Sequence, residues 1–192
     1  MTLKDEKSRL RSEVLARRDA IDPAGRIEWS LRAGEIAAEN IRFEPGTIVS
    51  GFLPIRSEID ARPLMDTFRQ RGARLCLPVV VDRTTIVFRE LVRGAELVST
   101  GFGTSGPGPD AAVLDPELLL MPLSVFDRRG GRIGYGAGHY DRAIGRLLNK
   151  GINPRLAGFA FSCQEVGAVP LEAHDKLLDC VITEKEFIEP AA

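Results

Sequence analysis

The sequence predicts an α/β protein: an open, mainly parallel sheet with helices on both faces, in Rossmann-like layering, as a single domain over residues 1–192. Three observations carry this. Runs that are apolar throughout, such as Leu118-Leu119-Leu120-Met121-Pro122, read as strands buried on both faces. They alternate with helical patterns, as parallel strands joined by crossover helices must. A length of 192 residues, with 44% hydrophobic and 28% charged side chains, suits one sizeable core.

Residues 3–21 read as a helix with Leu3, Leu10, Val14 and Ile21 on one stripe and Lys4, Lys7, Arg9, Arg11 and Arg17 around it. Asp22-Pro23 supplies an N-cap and a proline at the first helical position, so a second helix runs to about Asn40, with Ile27, Leu31, Ile36 and several alanines as apolar positions. Glu44-Pro45-Gly46 is a turn, Thr47–Leu53 a strand ended by Pro54, and Ser57–Asp60 a loop. A third helix over 61–70 turns Leu64, Met65 and Phe68 inward and stops at Gly72. Strands follow at 74–81 and 84–91, the second less buried and placed for a hairpin. Residues 99–110 are rich in glycine and proline and read as a surface or lid loop with little intrinsic order. Strands at 117–122 and 155–161 and a last one at 180–183 complete the sheet. Between the first two of these lies a helix with Ile144, Leu147 and Leu148 on one side.

With 26 basic and 27 acidic residues the net charge is −1, which argues against a general nucleic-acid binder. No apolar run approaches the ~18 residues of a membrane span. The charged start, MTLKDEKSRLRSE, lacks the apolar core of a signal peptide, so a cytoplasmic protein is expected. Cys76, Cys163 and Cys180 are widely spaced and odd in number. Each reads as a small buried hydrophobe, and neither a disulfide framework nor a structural zinc site is expected.

The chemistry concentrates in Phe126–Arg142, FDRRGGRIGYGAGHYDR, which follows a strand and so lies at the sheet edge where ligands bind. Between 127 and 146 five arginines face two aspartates, a surplus of three that suits a polyanion. In Gly134-Tyr135-Gly136-Ala137-Gly138, alternate glycines ahead of a helix leave N–H groups free to converge on an anion. The run matches neither the P-loop nor the dinucleotide fingerprint, and a tight strand-to-helix turn would also explain it. Arg132 is either a phosphate partner or a solvated loop cation. Asp141 either complements the helix dipole or binds Mg²⁺, with Asp175 of His174-Asp175 as a second carboxylate. Lys7 and Arg11 share a helix face and form either a phosphate clamp or a solvated surface. Glu58 could accept paired N–H donors from a planar heterocycle, or cap a loop. His139 reads as a loop histidine or a phosphate donor.

Together these stretches resemble the 5-formyltetrahydrofolate cyclo-ligase (methenyltetrahydrofolate synthetase) family over nearly the whole chain: KSRLR, FLPIRSEID, LLLMPLSVFDRRGGRIGYGAGHYDR and HDKLLDCVITE, in that order. The resemblance implies an enzyme that, with Mg²⁺, converts 5-formyltetrahydrofolate and ATP to 5,10-methenyltetrahydrofolate, ADP and phosphate; a monomer is expected. It implies that Lys7, Arg11 and Arg132, Ile133, Gly134, Tyr135, Gly136, Ala137, Gly138, His139 and Tyr140 bind ATP. Leu53, Glu58 and Tyr135 to His139 would meet the folate, and Asp141 and Asp175 the metal, with Arg132 and Asp141 closest to the chemistry. The family's loop usually reads Gly-Tyr-Gly-Gly-Gly-Tyr-Tyr-Asp, and here Ala137 and His139 depart from it. The family chemistry implies attack of the formyl oxygen on the γ-phosphate, then of N10 on the activated carbon. The competing readings are a sugar-phosphate isomerase or acyl transferase on a related scaffold, and a non-catalytic folate- or nucleotide-binding module.

Overall fold

The computed structural model describes residues 2–101, 103–173 and 175–190. The chain runs α1 (Leu3–Asp19), α2 (Pro23–Asn40), β1 (Ile48–Ser50), α3 (Arg62–Gln70), β2 (Arg74–Val80), β3 (Ile86–Glu90), β4 (Leu97–Gly101), β5 (Thr104–Pro107), β6 (Val113–Leu114), β7 (Leu118–Pro122), β8 (Val125–Phe126), β9 (Arg132–Ile133), α4 (His139–Asn149), β10 (Arg155–Phe159), β11 (Cys180–Ile182) and β12 (Phe187–Ile188). An eight-stranded sheet has the order β12-β11-β10-β7-β1-β2-β3-β6. Its middle, from β11 to β2, is parallel; β12 closes one edge and β3 with β6 the other, all antiparallel.

The alternation of side chains along β7 explains the all-apolar strand. Leu118 and Leu120 pack into the cluster formed with Ala33 and Ala37 of α2 and Leu64 and Phe68 of α3. Leu119 and Met121 join Ala143, Ile144 and Leu147 of α4 on the opposite face. A strand covered on both faces has no solvent side on which to place polar residues. The expected fold class is therefore the one observed.

Several local expectations change. In α2 the buried positions are Ser30, Ala33, Ala37 and Ala38, whereas Ile27 is 65% and Leu31 47% exposed. The alanines expected among the apolar positions therefore carry the buried face, and their small side chains let this helix lie close against its neighbours, while the larger Ile27 and Leu31 point outward. In α4, Ala143 replaces Leu148 on the inward face, and Leu148 is exposed. Within α1 only Val14 and Arg18 are buried, and Leu3 is exposed. Strand β1 stops at Ser50, leaving Leu53 in the loop beyond, and β12 rather than 180–183 is the last strand. Cys76 and Cys180 are buried, but Cys163 is only half-buried.

The 99–110 segment is also more ordered than expected. Leu97 pairs with Pro107, Val98 with Gly106 and Ser99 with Ser105, giving a β4–β5 hairpin. It lies on β2 and β3, where Arg89 Nη1 donates to the Pro107 carbonyl at 3.2 Å. Its small polar residues carry no apolar alternation, so docking rather than local pattern specifies it. Phe102 lies outside the described residues.

The turn between β8 and β9 depends on Asp127, whose side chain is wholly buried. Its carboxylate accepts the backbone N–H groups of Arg129 at 2.9 Å, Gly131 at 2.9 Å and Val169 at 2.8 Å. Burial pushes this carboxyl up, but the Val169 N–H, the Arg129 guanidinium and the other backbone donors outweigh it and hold the pKa below the usual aspartate range. Asp127→Ala is expected to lower unfolding free energy at pH 7 by about 3 kcal/mol, the scale of charge-assisted bonds lost from a buried site. Because the folded pKa is depressed, this stabilisation is present above the ordinary aspartate value of about 3.9 and is lost as pH falls through the folded value. Urea denaturation of both proteins should therefore show a gap at pH 7 that narrows on acidification.

Candidate active site

Strands β1 and β7 pair in parallel, Val49 with Leu118 and Ser50 with Leu119. The chain leaves β1 toward β2 and β7 toward β10, in opposite directions across the sheet. Such a reversal opens a crevice outside the strands' carboxyl ends, where open α/β sheets bind ligands. The loop after β1 brings Leu53 and Glu58. The chain after β7 brings the β8–β9 hairpin and the glycine run that opens α4. Helix α1 seats Val14 against Val125, Ile133 and Val169 of the hairpin region, which carries Lys7 and Arg11 to the same crevice. Here lies a cavity of about 950 Å³, and every site residue expected from the sequence lines it: Lys7, Arg11, Leu53, Glu58, the run from Arg132 to Asp141, and Asp175.

Two glycines set the loop. Gly136 has φ +97° and Gly138 φ +65°, both in the left-handed region that favours glycine. Ala137 has no positive φ, so alanine fits this position without strain. Gly138 is the N-cap of α4 and no side chain caps the helix, which leaves its first N–H groups for a ligand or water. Arg11 grips the loop backbone, its Nε donating to the Gly134 carbonyl at 2.7 Å, and burial pushes its pKa down. His139 opens α4 and donates from Nε2 to the Arg83 carbonyl at 3.0 Å. Tyr140 packs against the α4 side of the core; its hydroxyl has no partner among the described residues, and burial pushes its pKa up.

The two expected metal carboxylates are both paired with cations. Arg132 Nη2 meets Asp141 Oδ1 at 2.6 Å, and Lys7 Nζ meets Asp175 Oδ2 at 2.6 Å and Glu172 Oε2 at 2.9 Å. Burial works against the Lys7 ammonium, but Asp175 and Glu172 outweigh it and hold its pKa above the usual lysine range. The Lys176 N–H reaches Asp141 at 3.4 Å, so the 172–176 segment brings the two aspartates to one place. Asp141 does lie in the first turn of α4, where it complements the helix dipole, and it is also tied to Arg132. His174 lies outside the described residues. Among the described residues no group of three or more His, Cys, Asp or Glu could hold a metal by protein ligands alone. Two carboxylates nonetheless fit magnesium, which takes one or two together with phosphate oxygens and waters.

At the other end of the cavity Glu58 is 7% exposed. Its Oε2 accepts the Ile55 N–H at 2.9 Å, while Oε1 has no partner among the described residues. Burial pushes its pKa up, opposed by the Ile55 N–H, the Arg18 charge and the Tyr135 hydroxyl. Arg18 escaped the sequence reading. It is 1% exposed and, among the described residues, forms no salt bridge: Nε donates to Ser57 Oγ at 3.0 Å, Nη2 to the Tyr135 hydroxyl at 3.1 Å, and Nη1 to none of them. The available signal was its spacing of four from Val14, which places it on the buried face of α1. Apolar walls from Leu77, Val80 and Met121, and the hairpin residues Leu97, Thr104 and Ser105, were also not anticipated as lining.

Because only Gly136 and Gly138 need left-handed backbone, the loop's substitutions should sort accordingly. Gly136→Ala is expected to lower stability by about 1–2 kcal/mol. Ala137→Gly should stay within about 1 kcal/mol of wild type. Thermal denaturation measures both.

The 5-formyltetrahydrofolate cyclo-ligase family model matches residues 3–184. The 5-formyltetrahydrofolate cyclo-ligase of Escherichia coli K12 is 30% identical over 186 residues, 92% of this chain and 99% of that protein. That of Mycolicibacterium smegmatis is 30% identical over 196 residues, 95% of each. Among solved structures, the 5,10-methenyltetrahydrofolate synthetase of Aquifex aeolicus superposes with a TM-score of 0.82 at 26% identity, covering 97% of this chain and 93% of that one. That of Mycoplasma pneumoniae gives 0.74 at 20% identity over 93% and 98%, a likeness of fold. With a family model spanning nearly the whole chain, and relatives of near-equal length, this chain belongs to the 5-formyltetrahydrofolate cyclo-ligase family, enzymes of the ligase class.

Proposed function

We propose that the protein uses ATP and Mg²⁺ to cyclise 5-formyltetrahydrofolate to 5,10-methenyltetrahydrofolate, with release of ADP and phosphate. One observation carries the reading. A single cavity joins a half-apolar end holding Glu58 and Leu53 to a cationic end holding Lys7, Arg11, Arg132 and the glycine loop. The first end suits a planar heterocycle and the second a triphosphate, and the reaction needs both within bonding distance.

The formyl oxygen is a poor leaving group until it is phosphorylated. It attacks the γ-phosphorus and the bond to the β–γ bridging oxygen breaks, giving ADP and an imidate phosphate. N10 then attacks the activated carbon, phosphate departs with the former formyl oxygen, and N10 loses its proton to solvent. The protein's part in the first step is positioning and charge neutralisation. Lys7 and Arg132 are held at the cavity wall by Asp175 and Asp141. With a nucleotide bound, these cations would turn to phosphate oxygens, and Asp141 and Asp175 would be the residues to hold the metal. Mg²⁺, when bound, neutralises charge on the phosphate oxygens. The N–H groups at the start of α4, which no side chain caps, and the glycine run before it would add donors for the same phosphates. In the second step both reacting atoms belong to one folate. Pinning it between Leu53 and the Glu58 carboxylate restricts it to near-attack poses, an effect worth up to about 7–11 kcal/mol in ideal cases.

Incubation with 5-formyltetrahydrofolate and MgATP should yield the methenyl chromophore and ADP in equal amounts; ADP without the chromophore overturns the reading. Asp141→Asn is expected to lower kcat by about two orders of magnitude, the scale of one lost electrostatic contact to the transition state. Unchanged turnover would remove Asp141 from the metal. Lys7→Ala should raise the KM for ATP more than that for the folate, whereas equal rises would point to a damaged α1.

A further inference from the structure

A guanidinium that is almost fully buried and meets no carboxylate is an expensive arrangement, because neither solvent nor an ion pair offsets its desolvation. Arg18 comes close to this: it is 1% exposed and makes no salt bridge among the described residues, and its charge reaches the Glu58 carboxylate without one. The fold keeps it at the joint between two walls of the cavity. Through Ser57 it holds the residue next to Glu58, and through the Tyr135 hydroxyl it holds the middle of the glycine loop. Ser57 also donates to the Asp19 carboxylate, so Asp19 locks the hydroxyl that receives Arg18. Two buried atoms at this joint remain without partners among the described residues, Arg18 Nη1 and Glu58 Oε1. A core built for stability alone would satisfy both.

We propose that Arg18 is a positioning residue of the active site: it fixes the Tyr135 loop relative to the Glu58 wall and supplies the buried positive charge against which Glu58 presents a carboxylate to the substrate. This rests on the folate reading of the cavity. The groups that act on Glu58 are Arg18 from α1, Tyr135 from the glycine loop and Tyr140 from α4, while Arg26, Arg56, Asp60 and Arg62, the last two paired with each other, line with it an adjoining cleft of about 310 Å³. Of the four arginines Arg18 is the one sealed from solvent, so its charge is the least screened. Burial already pushes the Glu58 carboxyl up, and loss of the Arg18 charge raises it further. The carboxylate would then be lost at a higher pH, and with it the contact to the heterocycle.

The test compares wild type with Arg18→Met, Arg18→Lys and Tyr135→Phe, using steady-state kinetics from pH 5 to 9 and equilibrium binding of 5-formyltetrahydrofolate without ATP. Arg18→Met is expected to raise the KM and dissociation constant of the folate about tenfold or more, the scale of one charge-assisted contact. It should leave the KM for ATP much less changed and move the acid limb of kcat/KM to higher pH. Arg18→Lys, which keeps the charge, should restore the limb but not the full affinity. Should Arg18→Met fail to fold, Arg18→Lys paired with Tyr135→Phe decides: the double variant should be no worse than the poorer single one, since both cut the same link. Additive losses in that cycle, or an unmoved acid limb and folate KM in Arg18→Met, overturn the proposal. Wild type that neither binds nor turns over 5-formyltetrahydrofolate fails the folate reading itself, a distinct outcome.

Discussion

The pairing of β1 with β7 is the constraint on which the rest depends. Val49 and Ser50 meet Leu118 and Leu119 in parallel, although the two strands are far apart in sequence. Parallel neighbours end at the same edge of the sheet, so the loops that follow both strands emerge side by side. One loop carries Glu58 and the other the glycine run. Because the chain diverges from this pair in opposite directions, no crossover helix covers the gap between the loops. The crevice is a product of topology, and the side chains only determine what it holds.

Charge then prepares the crevice without filling it. Lys7 with Asp175 and Arg132 with Asp141 are cation–carboxylate pairs at the anionic-ligand end. Left alone, either member would have to be solvated at the cavity wall, and together they are held in place. On the reading proposed above, an incoming phosphate would offer the cations new partners and an accompanying divalent ion would offer the carboxylates theirs. Such an exchange would keep the local charge balanced while replacing contacts within the protein by contacts to the ligand. The Glu58 end of the cavity differs: among the described residues, Glu58 Oε1 and Arg18 Nη1 are buried without a partner.

The layers of the fold were legible because strands buried on both faces and amphipathic helices leave strong periodic patterns, and β7 is the plainest case. The residues that line the cavity were legible because they sit in motifs on three loops and one face of α1, which the topology gathers. Other features were hidden for physical reasons. In α2 size alone does not tell the inward alanines from the outward Ile27 and Leu31, and the β4–β5 hairpin is specified by docking on β2 and β3. The pairing of Lys7 with Asp175 is long-range, and nothing local announces it. Arg17 and Arg18 look equivalent as letters, yet one is exposed and the other buried, because a helix turns adjacent residues to different faces.

The backbone of the glycine loop also bears on how such a chain can change over generations. Only Gly136 and Gly138 occupy left-handed conformations, while a side chain at Gly134 would meet nothing within 4 Å and Ala137 already carries one. The locked and open positions therefore alternate along a single rim of the cavity. Substitutions at 134 and 137 can remodel that rim without disturbing the turn that shapes it, so drift in ligand preference is decoupled from foldability. Ala137 is then a change of a kind the loop was already free to accept.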